Sequence, residues 1–251
     1  MRRADELLFA LGLVESRSKA RSLIEEGKVK CSGKPVDKPS RKYPDAAEFE
    51  IDADAATLRF VSRAGLKLDA FLENFAVDLR GLRVLDAGAS TGGFTDCALS
   101  RGAAQCCCVD IGTGQLHPKV AADARVKNFE QTDVRNLTPE FFKNELFDFI
   151  CADLSFISLE KVLPALWPLL KDGGAIVCLI KPQFESSPEI MRRACGILRD
   201  SSARLAAVEK VEKYFFDNFR GAKLIGEMES PVKGGDGNVE YLVGYAKAAH
   251  Q

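Results

Sequence analysis

The segment RVLDAGASTGGFTDC, residues 83–97, constrains the fold more than any other part of the chain. A short apolar run ends at Asp86, three glycines follow at positions 88, 92 and 93, and a helical pattern runs from Thr91 to Ser100. A buried strand, a glycine turn and a helix form the first half of a nucleotide-binding βαβ unit. The segment therefore predicts an α/β fold built on a parallel sheet.

The glycine spacing also indicates which ligand the turn suits. When the outer glycines of a dinucleotide fingerprint are aligned on Gly88 and Gly93, Ser90 takes the place of the middle glycine that lets the backbone approach a pyrophosphate. A ligand without a pyrophosphate is favoured, and S-adenosyl-L-methionine is the commonest one. A tight turn that binds nothing is the alternative. The predicted cofactor residues in this stretch are Asp86, Gly88, Ala89, Ser90, Thr91, Gly92, Gly93 and Phe94.

Composition limits the class of protein. The longest apolar run, residues 175–180, is far shorter than the roughly 20 residues of a membrane helix, and the first residues lack the apolar core of a secretory signal. Of eight cysteines, three are consecutive at 106–108, and none forms a C-x-x-C pair. We therefore expect a reduced, cytoplasmic chain with no membrane span and no metal site.

The first 44 residues form a basic head. They carry eleven Lys and Arg against six Asp and Glu, a balance of +5, whereas the whole chain has a net charge of −1. The pattern predicts two helices, Ala4 to Leu11 and about Ser18 to Glu26, followed by a hairpin around Ser32-Gly33. Such a head suits a polyanion. The predicted RNA-binding residues are Arg2, Arg3, Arg17, Lys19, Arg21, Lys28 and Lys30.

The run SRSKARSLIEEGKVKCSGKPV resembles the S4-type RNA-binding domain, first known from a ribosomal protein of the small subunit. It departs from that pattern at Cys31-Ser32, where an aliphatic residue and Asn or Asp are usual. An accessory helical pair without an RNA role is the alternative. We expect a small α+β domain over residues 1–58 and a second domain over 59–251.

Beyond the glycine turn, strands and helices alternate, which predicts a parallel sheet covered by helices on both faces. Ligands bind at the carboxyl ends of such strands. Four ionisable residues follow predicted strands there. Asp110 lies 22 positions after Gly88, near the spacing at which a carboxylate binds a ribose diol, and Asp133 is expected near the adenine. The other two are Asp153 and Lys181.

The residues after the fourth strand exclude two methyl acceptors. Amine methylation uses (N/D)-P-P-(Y/F/W), and Asp153 is followed by Leu154-Ser155-Phe156 without a proline. Methylation at a pyrimidine carbon needs a thiolate, usually after a proline, and no cysteine follows a proline. Lysines and aspartates at strand ends suit an alcohol, because a neutral amine near a carboxylate can take or polarise the hydroxyl proton.

Seven motifs carry a family resemblance: VSRAGLKLDAFL, LDAGASTGGFTDCAL, VDIGTGQL, DLSFISL, LIKPQFE, CGILRD and SPVKGGDGNVEYL. Through them the chain resembles the TlyA family, whose members are named both hemolysins and ribosomal RNA 2′-O-methyltransferases and whose catalytic half is similar to FtsJ-type RNA methyltransferases. The resemblance covers nearly the whole chain. It departs at Ala64, where the family usually has glycine, and at Cys195-Gly196-Ile197. It implies a Rossmann-like S-adenosylmethionine-dependent methyltransferase sheet behind an S4-type domain.

The resemblance also implies site residues and a substrate. The family's catalytic tetrad maps onto Lys67, Asp153, Lys181 and Glu240. Lys181 would act on the 2′-hydroxyl, Asp153 would orient it, and Lys67 would favour the neutral amine of Lys181 by like-charge repulsion. The expected partners are ribosomal RNA and ribosomal subunits, with a cytidine of the large subunit as target and the small subunit as second candidate. A pore-forming hemolysin and a non-catalytic RNA-binding protein are the alternatives, and the oligomeric state, monomer or weak dimer, stays open.

Overall fold

The computed structural model describes residues 1–14, 17–25, 27–51, 59–234 and 237–249, with the side chains of all but residues 18 and 22. The chain divides into two compact units, Met1–Arg63 and Ala64–Gln251, called the small unit and the large unit below. The predicted boundary between residues 58 and 59 stays a prediction. Glu26, the predicted end of the second helix, and residues 52–58, at the end of the first predicted domain, lie outside the described residues.

The small unit packs two helices on short antiparallel strands. Its core is formed by Leu8, Leu23, Ile24 and Val29, which are buried together. Leu11, the predicted end of the first helix, lies one residue beyond that helix and is 46% exposed. The elements are β1 (Arg2–Arg3), α1 (Ala4–Ala10), α2 (Arg17–Glu25), β2 (Val29–Cys31), β3 (Lys34–Pro35), β4 (Lys42–Tyr43) and β5 (Phe49–Ile51), with β1 paired to β4 and the sheet order β3-β2-β5.

The large unit alternates strands and helices, as the sequence predicts. Short 3₁₀ helices lie on both sides of the helix Leu163–Leu166. The elements are α3 (Ala64–Asn74), β6 (Arg83–Ala87), α4 (Gly93–Ser100), β7 (Gln105–Val109), α5 (Pro118–Ala121), β8 (Val126–Phe129), β9 (Phe147–Ala152), α6 (Leu163–Leu166), β10 (Leu170–Ile180), α7 (Pro182–Glu185), α8 (Pro188–Arg193), α9 (Ser201–Asn218), β11 (Ala222–Glu229) and β12 (Tyr241–Lys247).

The large unit is built on one seven-stranded sheet in the order β11-β12-β10-β9-β6-β7-β8. The strands from β10 to β8 pair in parallel, whereas β12 runs antiparallel to both of its neighbours. This reversed strand is the one departure from the parallel sheet that the sequence predicts. The chain order changes direction between β6 and β9, and ligands bind at the carboxyl ends of strands at such a switch point.

The sheet is buried by apolar side chains on both faces, and its cysteines are part of this core. Cys106, Cys107 and Cys108 of β7 have no exposed surface, and each is a free thiol. Burial raises the pKa of Cys108 to about 12, so the thiol stays protonated. Among the described residues, no helix has both the length and the apolar character that crossing a membrane requires.

Helix α3 lies directly on β12 because β12 has a glycine at the contact. A Cβ atom added at Gly244 would overlap the ring of Phe71, which is fully buried. Lys67 precedes Phe71 by one helical turn, and Glu240, which lies directly before β12, precedes Gly244 by four positions and so shares its face. The close approach at Gly244 therefore helps to bring Lys67 and Glu240 together.

We expect Gly244→Ala to destabilise the large unit by about 1–3 kcal/mol, because extra volume in a packed core forces neighbouring groups to move. The measurement is chemical unfolding of the variant against the wild type. The second substitution Phe71→Leu, which shortens the opposing ring, should recover part of the loss. If the double variant is as unstable as the sum of the single variants, the two side chains do not compete for the same space.

Candidate active site

The carboxyl ends of four parallel strands surround a cavity of about 530 Å³, called the larger cavity. It is open on one side, and its walls come from the segments that follow β6, β7, β8 and β9. These segments come together because parallel strands end at the same edge of a sheet. Residues of this wall include Gly88, Asp110, Asp133, Asp153 and Phe156.

Asp110 organises the glycine turn through its two carboxylate oxygens. Oδ2 accepts a hydrogen bond of 2.8 Å from the backbone N–H of Ser90, and Oδ1 accepts one of 2.7 Å from Gly112. Each carboxylate oxygen keeps a further lone pair for a ligand hydroxyl. Gly88 has φ +85°, and a Cβ there would lie 2.6 Å from the carbonyl oxygen of Asp153, so the turn requires glycine at this position.

The other predicted residues of the turn have different surroundings. Ala89, Thr91 and Phe94 line a smaller cavity of about 180 Å³ that shares Gly88 with the larger one. Gly92 and Gly93 do not line either cavity. Gly92 caps α4 with φ +85°, where a Cβ would meet Leu116, and Gly93 is the buried first residue of that helix.

Asp86 carries a buried carboxylate and lines the smaller cavity. Its Oδ2 accepts hydrogen bonds from the backbone N–H of Thr95 at 3.0 Å and from the Thr95 hydroxyl at 2.7 Å. Its Oδ1 is buried without a hydrogen-bond partner among the described residues. Burial raises the pKa of Asp86 to about 7, the Thr95 hydroxyl opposes this shift, and the charge of Asp153 adds to it.

Lys181 and Asp153 form an ion pair at the wall of the smaller cavity. Lys181 Nζ lies 2.6 Å from Asp153 Oδ1 and donates a hydrogen bond of 2.8 Å to Ser155 Oγ. Asp153 follows β9, and its backbone N–H donates to Ala87 at the end of β6. The structure thus brings together the two residues that the sequence predicts at these strand ends, and adds Ser155.

Lys67 and Glu240 form a second ion pair, with 2.5 Å between Nζ and Oε2, and both side chains are buried. Ile180 pairs with Tyr241 in the antiparallel ladder, so Lys181 and Glu240 lie at the same edge of neighbouring strands. The charge of Lys67 is compensated by Glu240. This weakens the like-charge repulsion between Lys67 and Lys181 that the sequence predicts.

The segment after β10 holds the segment after β9 at three points. Lys181 contacts Asp153 and Ser155, the Phe184 ring packs on Phe156 with centroids 5.2 Å apart, and Glu185 accepts hydrogen bonds from Ser158 and from the Leu159 N–H. Burial raises the pKa of Glu185, which its hydrogen bonds oppose. The sequence prediction missed Glu185.

Phe156, in the segment after β9, is the second residue that the sequence prediction missed. Its side chain is 90% exposed, and its φ of +64° is unusual for a residue with a Cβ. It lines the larger cavity together with Asp153. Its place directly after Asp153-Leu154-Ser155, where methyltransferases contact the acceptor, was the available signal.

Asp133 lies at the rim of the larger cavity, where it caps a 3₁₀ turn. Its carboxylate accepts from the Arg135 N–H at 2.9 Å and pairs with the Arg135 guanidinium at 2.5 Å. The Arg135 hydrogen bonds lower the pKa of Asp133. Among the described residues, no group of three or more His, Cys, Asp or Glu side chains could hold a metal ion.

Three of the predicted RNA-binding arginines of the small unit share one buried carboxylate. Asp5 pairs with Arg3 at 2.9 Å, Arg17 at 3.3 Å and Arg21 at 2.9 Å. These guanidiniums hold the pKa of Asp5 well below its usual range, against the effect of burial. The arginine side chains stay 34%, 44% and 51% exposed, so each keeps N–H groups at the surface.

Lys19 does not lie where the sequence predicts. It is 3% exposed, and its Nζ donates a hydrogen bond to the carbonyl of Phe60. The ammonium is therefore used inside the protein and is not available to an RNA phosphate. Arg2 pairs with Asp45 at 3.1 Å and is exposed, Lys30 is exposed, and Lys28 is half-buried.

We expect Asp86 to make stability depend on pH. Its pKa is raised from 3.8 to about 7, so its contribution to stability is full below pH 4 and is lost as the pH rises toward 7. Relative to Asp86→Asn, the wild type should lose ~3 kcal/mol of unfolding free energy between about pH 4.5 and 7.5, at 1.36 kcal/mol per pKa unit. Urea unfolding at several pH values measures this difference.

The matched control is Asp123→Asn. Hydrogen bonds from Arg125 lower the pKa of Asp123 to about 2. The difference in unfolding free energy between the wild type and Asp123→Asn should therefore change little over the same pH range. If the difference in unfolding free energy between the wild type and Asp86→Asn does not change with pH, the pKa of Asp86 is not raised in the folded protein.

Comparison with protein-family models matches two parts of the chain. Residues 60–247 match the FtsJ-like methyltransferases, which is most of the chain, and residues 2–45 match the S4 domain. The first match spans the seven-stranded sheet and both ion pairs. The second spans both helices of the small unit and the arginines around Asp5.

Individual relatives cover nearly the whole chain. The 16S/23S rRNA (cytidine-2′-O)-methyltransferase TlyA of Mycobacterium tuberculosis is 41% identical over 96% of this chain and 88% of its own length. Hemolysin A of Brachyspira hyodysenteriae is 36% identical over 96% and 98%. A solved structure from Streptococcus thermophilus, provisionally named a hemolysin, is 40% identical over 98% and 88%, with a TM-score of 0.77. The chain therefore belongs to the TlyA family, in which an S4 domain precedes an FtsJ-like methyltransferase domain.

Proposed function

We propose that this protein transfers a methyl group from S-adenosyl-L-methionine to the ribose 2′-hydroxyl of a cytidine in ribosomal RNA. The observation that carries the proposal is the ion pair of Lys181 and Asp153 on the wall of a cavity at the switch point of the sheet. The M. tuberculosis relative is named for this reaction on 16S and 23S rRNA. Its name supports the cytidine and the two ribosomal subunits as substrates.

The two cavities fit the proposed cofactor. Oδ1 of Asp86, which has no hydrogen-bond partner in the described part of the chain, offers a buried acceptor for the ammonium of the amino-acid part. The Asp110 carboxylate, held by Ser90 and Gly112, has lone pairs left for the two ribose hydroxyls. The larger cavity, with Asp133 at its rim, has room for the adenine. When bound, S-adenosylmethionine supplies a methyl group already activated on a sulfonium.

The chain's own residues would position and activate the acceptor. Lys181 Nζ, already held by Asp153 and Ser155, takes or polarises the proton of the 2′-hydroxyl, and Asp153 keeps the amine and the hydroxyl in line. The pair of Lys67 and Glu240 completes the wall at the neighbouring strand end. Asp153, Ser155 and Lys181 all follow strands of the sheet, so the sheet fixes the positions of these three side chains relative to one another.

Phe156 would hold the base of the target nucleotide. Exposed aromatic rings stack on bases of single-stranded RNA, and this ring packs on Phe184 next to the Lys181 ion pair. The contacts of Glu185 with Ser158 and Leu159 hold the segment that carries the ring. A base removed from its helix could therefore stack on Phe156 while its ribose reaches Lys181.

The small unit would supply affinity for ribosomal RNA. The S4 match and the exposed arginines around Asp5 support this role, and Lys19 no longer belongs to the proposed contact set. Such a substrate places the enzyme with the ribosomes in the cytoplasm. The sequence left two alternatives, a pore-forming hemolysin and a non-catalytic RNA-binding protein. Neither function requires the two ion pairs formed by Lys181 with Asp153 and by Lys67 with Glu240.

We expect Lys181→Ala to lower turnover on ribosomal subunits by about 100-fold or more, a typical contribution of a general base, with cofactor affinity near wild type. Lys181→Arg should not restore activity, because a guanidinium stays protonated. Transfer of a labelled methyl group to RNA measures turnover, and calorimetry measures cofactor binding. The matched control is Lys171→Ala, at the opposite end of the same strand, where the lysine pairs with Asp148.

Two results would overturn these assignments. An active Lys181→Arg variant would mean that Lys181 acts only as a fixed positive charge. A wild-type protein that binds S-adenosylmethionine but labels no ribosomal RNA would contradict the proposed reaction.

We expect the double variant Arg17→Ala/Arg21→Ala to weaken RNA binding and to make it less dependent on salt, with a slope of log K against log [salt] smaller by roughly two. Filter binding at several salt concentrations measures this slope. Lys38→Ala/Arg41→Ala removes the same charge from the same unit at residues outside the proposed contact set. Equal losses in both double variants would mean that the arginines act only through net charge.

A further inference from the structure

The large unit must accept a polyanion although its own charge is negative. Residues 64–251 carry 22 Lys and Arg against 25 Asp and Glu, a balance of −3. RNA approaching Lys181 would bring phosphates on both sides of the target nucleotide. Exposed charges are screened within about 8 Å at physiological salt. Only cations close to the site can therefore attract these phosphates strongly. This inference rests on the proposed function.

Two loops are tied together beside Glu240 by one buried side chain. Asn238, which is 3% exposed, accepts a hydrogen bond of 2.9 Å from the Leu198 N–H and donates one of 3.0 Å to the Gly196 carbonyl. A Cβ at Gly234 would lie 2.5 Å from Glu240 Oε1, so the second loop passes against the carboxylate of the site. The segment at Gly234 therefore contacts Glu240 of the Lys67–Glu240 ion pair, and Asn238, two residues before Glu240, joins the segment at Gly196 to it.

The first of these loops is held from its other side as well. Arg204 donates from Nη1 to the carbonyls of Leu198 and Arg199, at 3.3 and 2.8 Å. Cys195 and Gly196 both have positive φ values, +49° and +83°, which turn the chain sharply at this point. Four hydrogen bonds thus anchor a short exposed loop whose backbone conformation is defined.

Three exposed cations project from these two loops and their borders. Arg193 ends α8 just before the first loop, Arg199 follows Leu198, and Lys233 precedes Gly234. Within the part of the chain that the structure describes, none of the three has an ion-pair partner. Elsewhere on this unit, many exposed cations pair with an acid close in sequence, as Arg80 does with Asp78 and Arg125 with Asp123.

We propose that Arg193, Arg199 and Lys233 form a binding surface for the phosphodiester backbone of the RNA that flanks the target nucleotide. Unpaired cations release counterions from RNA without first losing an intramolecular partner. Anchored loops lose little conformational freedom when the phosphates bind. The surface would hold the strand on the large unit while the small unit supplies separate contacts.

The test compares two triple variants of the full-length protein with ribosomal subunits as substrate. Arg193→Ala/Arg199→Ala/Lys233→Ala removes the proposed surface. Lys127→Ala/Arg220→Ala/Lys223→Ala removes the same charge from exposed cations that also lack an ion-pair partner among the described residues. Arg220 lies two residues before β11 and Lys223 is the second residue of that strand. Ala222 of β11 pairs with Lys247, at the far end of β12 from Glu240.

We expect the first variant to raise the KM for subunits at least tenfold and to reduce the salt slope of RNA binding by roughly two, at about 0.7 per cation for single strands. The control variant should keep both values within about twofold of the wild type, and both variants should bind S-adenosylmethionine as the wild type does. Equal KM and salt slope in the two variants would overturn the proposal. Failure of the wild type itself to methylate RNA would instead contradict the proposed function.

Discussion

The buried ion pair between Lys67 and Glu240 ties together the parts of the large unit on which the site depends. Its two ends lie on a helix outside the sheet and at the start of the reversed strand. Removing one member of a buried pair leaves an uncompensated charge, which costs about 3–5 kcal/mol. The contact of Phe71 with Gly244 holds the helix at the distance that this pair needs. The position of the helix and the arrangement of charge are therefore coupled.

The sequence predicted the strand ends well because the physics there is local. An apolar run followed by an acid or a lysine marks the carboxyl end of a buried parallel strand, so Asp110, Asp153 and Lys181 could be placed at one edge of the sheet. The direction of β12 could not be predicted, because a short apolar strand has the same pattern in either direction. Yet that reversal places Glu240 at the same edge as Lys181. The pairing of Lys67 with Glu240 depends on it.

The basic head shows where counting charges is not enough. Arg17 and Arg21 are spaced to share a helix face, and the sequence predicted them as RNA-binding residues. In the structure they share Asp5, which is fully buried, so part of their charge is compensated and their geometry is constrained. Lys19 lies between them but points to a backbone carbonyl. Helical spacing alone does not show which side chain finds a partner 41 residues away along the chain.

Three residues in the walls of the two cavities lower the stability of the folded protein. Burial raises the pKa of Asp86 to about 7, which costs ~4 kcal/mol at neutral pH relative to the unfolded chain. Ser90 and Phe156 adopt φ values of +48° and +64°, each at a cost of order 1–3 kcal/mol. A fold selected only for stability would lose these features through substitutions such as Asp86→Asn or Phe156→Gly. Each one instead presents a group to a cavity: a carboxylate oxygen, a backbone N–H turned onto Asp110, and an exposed aromatic ring. Ligands that bind at these three groups would offset part of the free-energy cost, which explains why the protein keeps them.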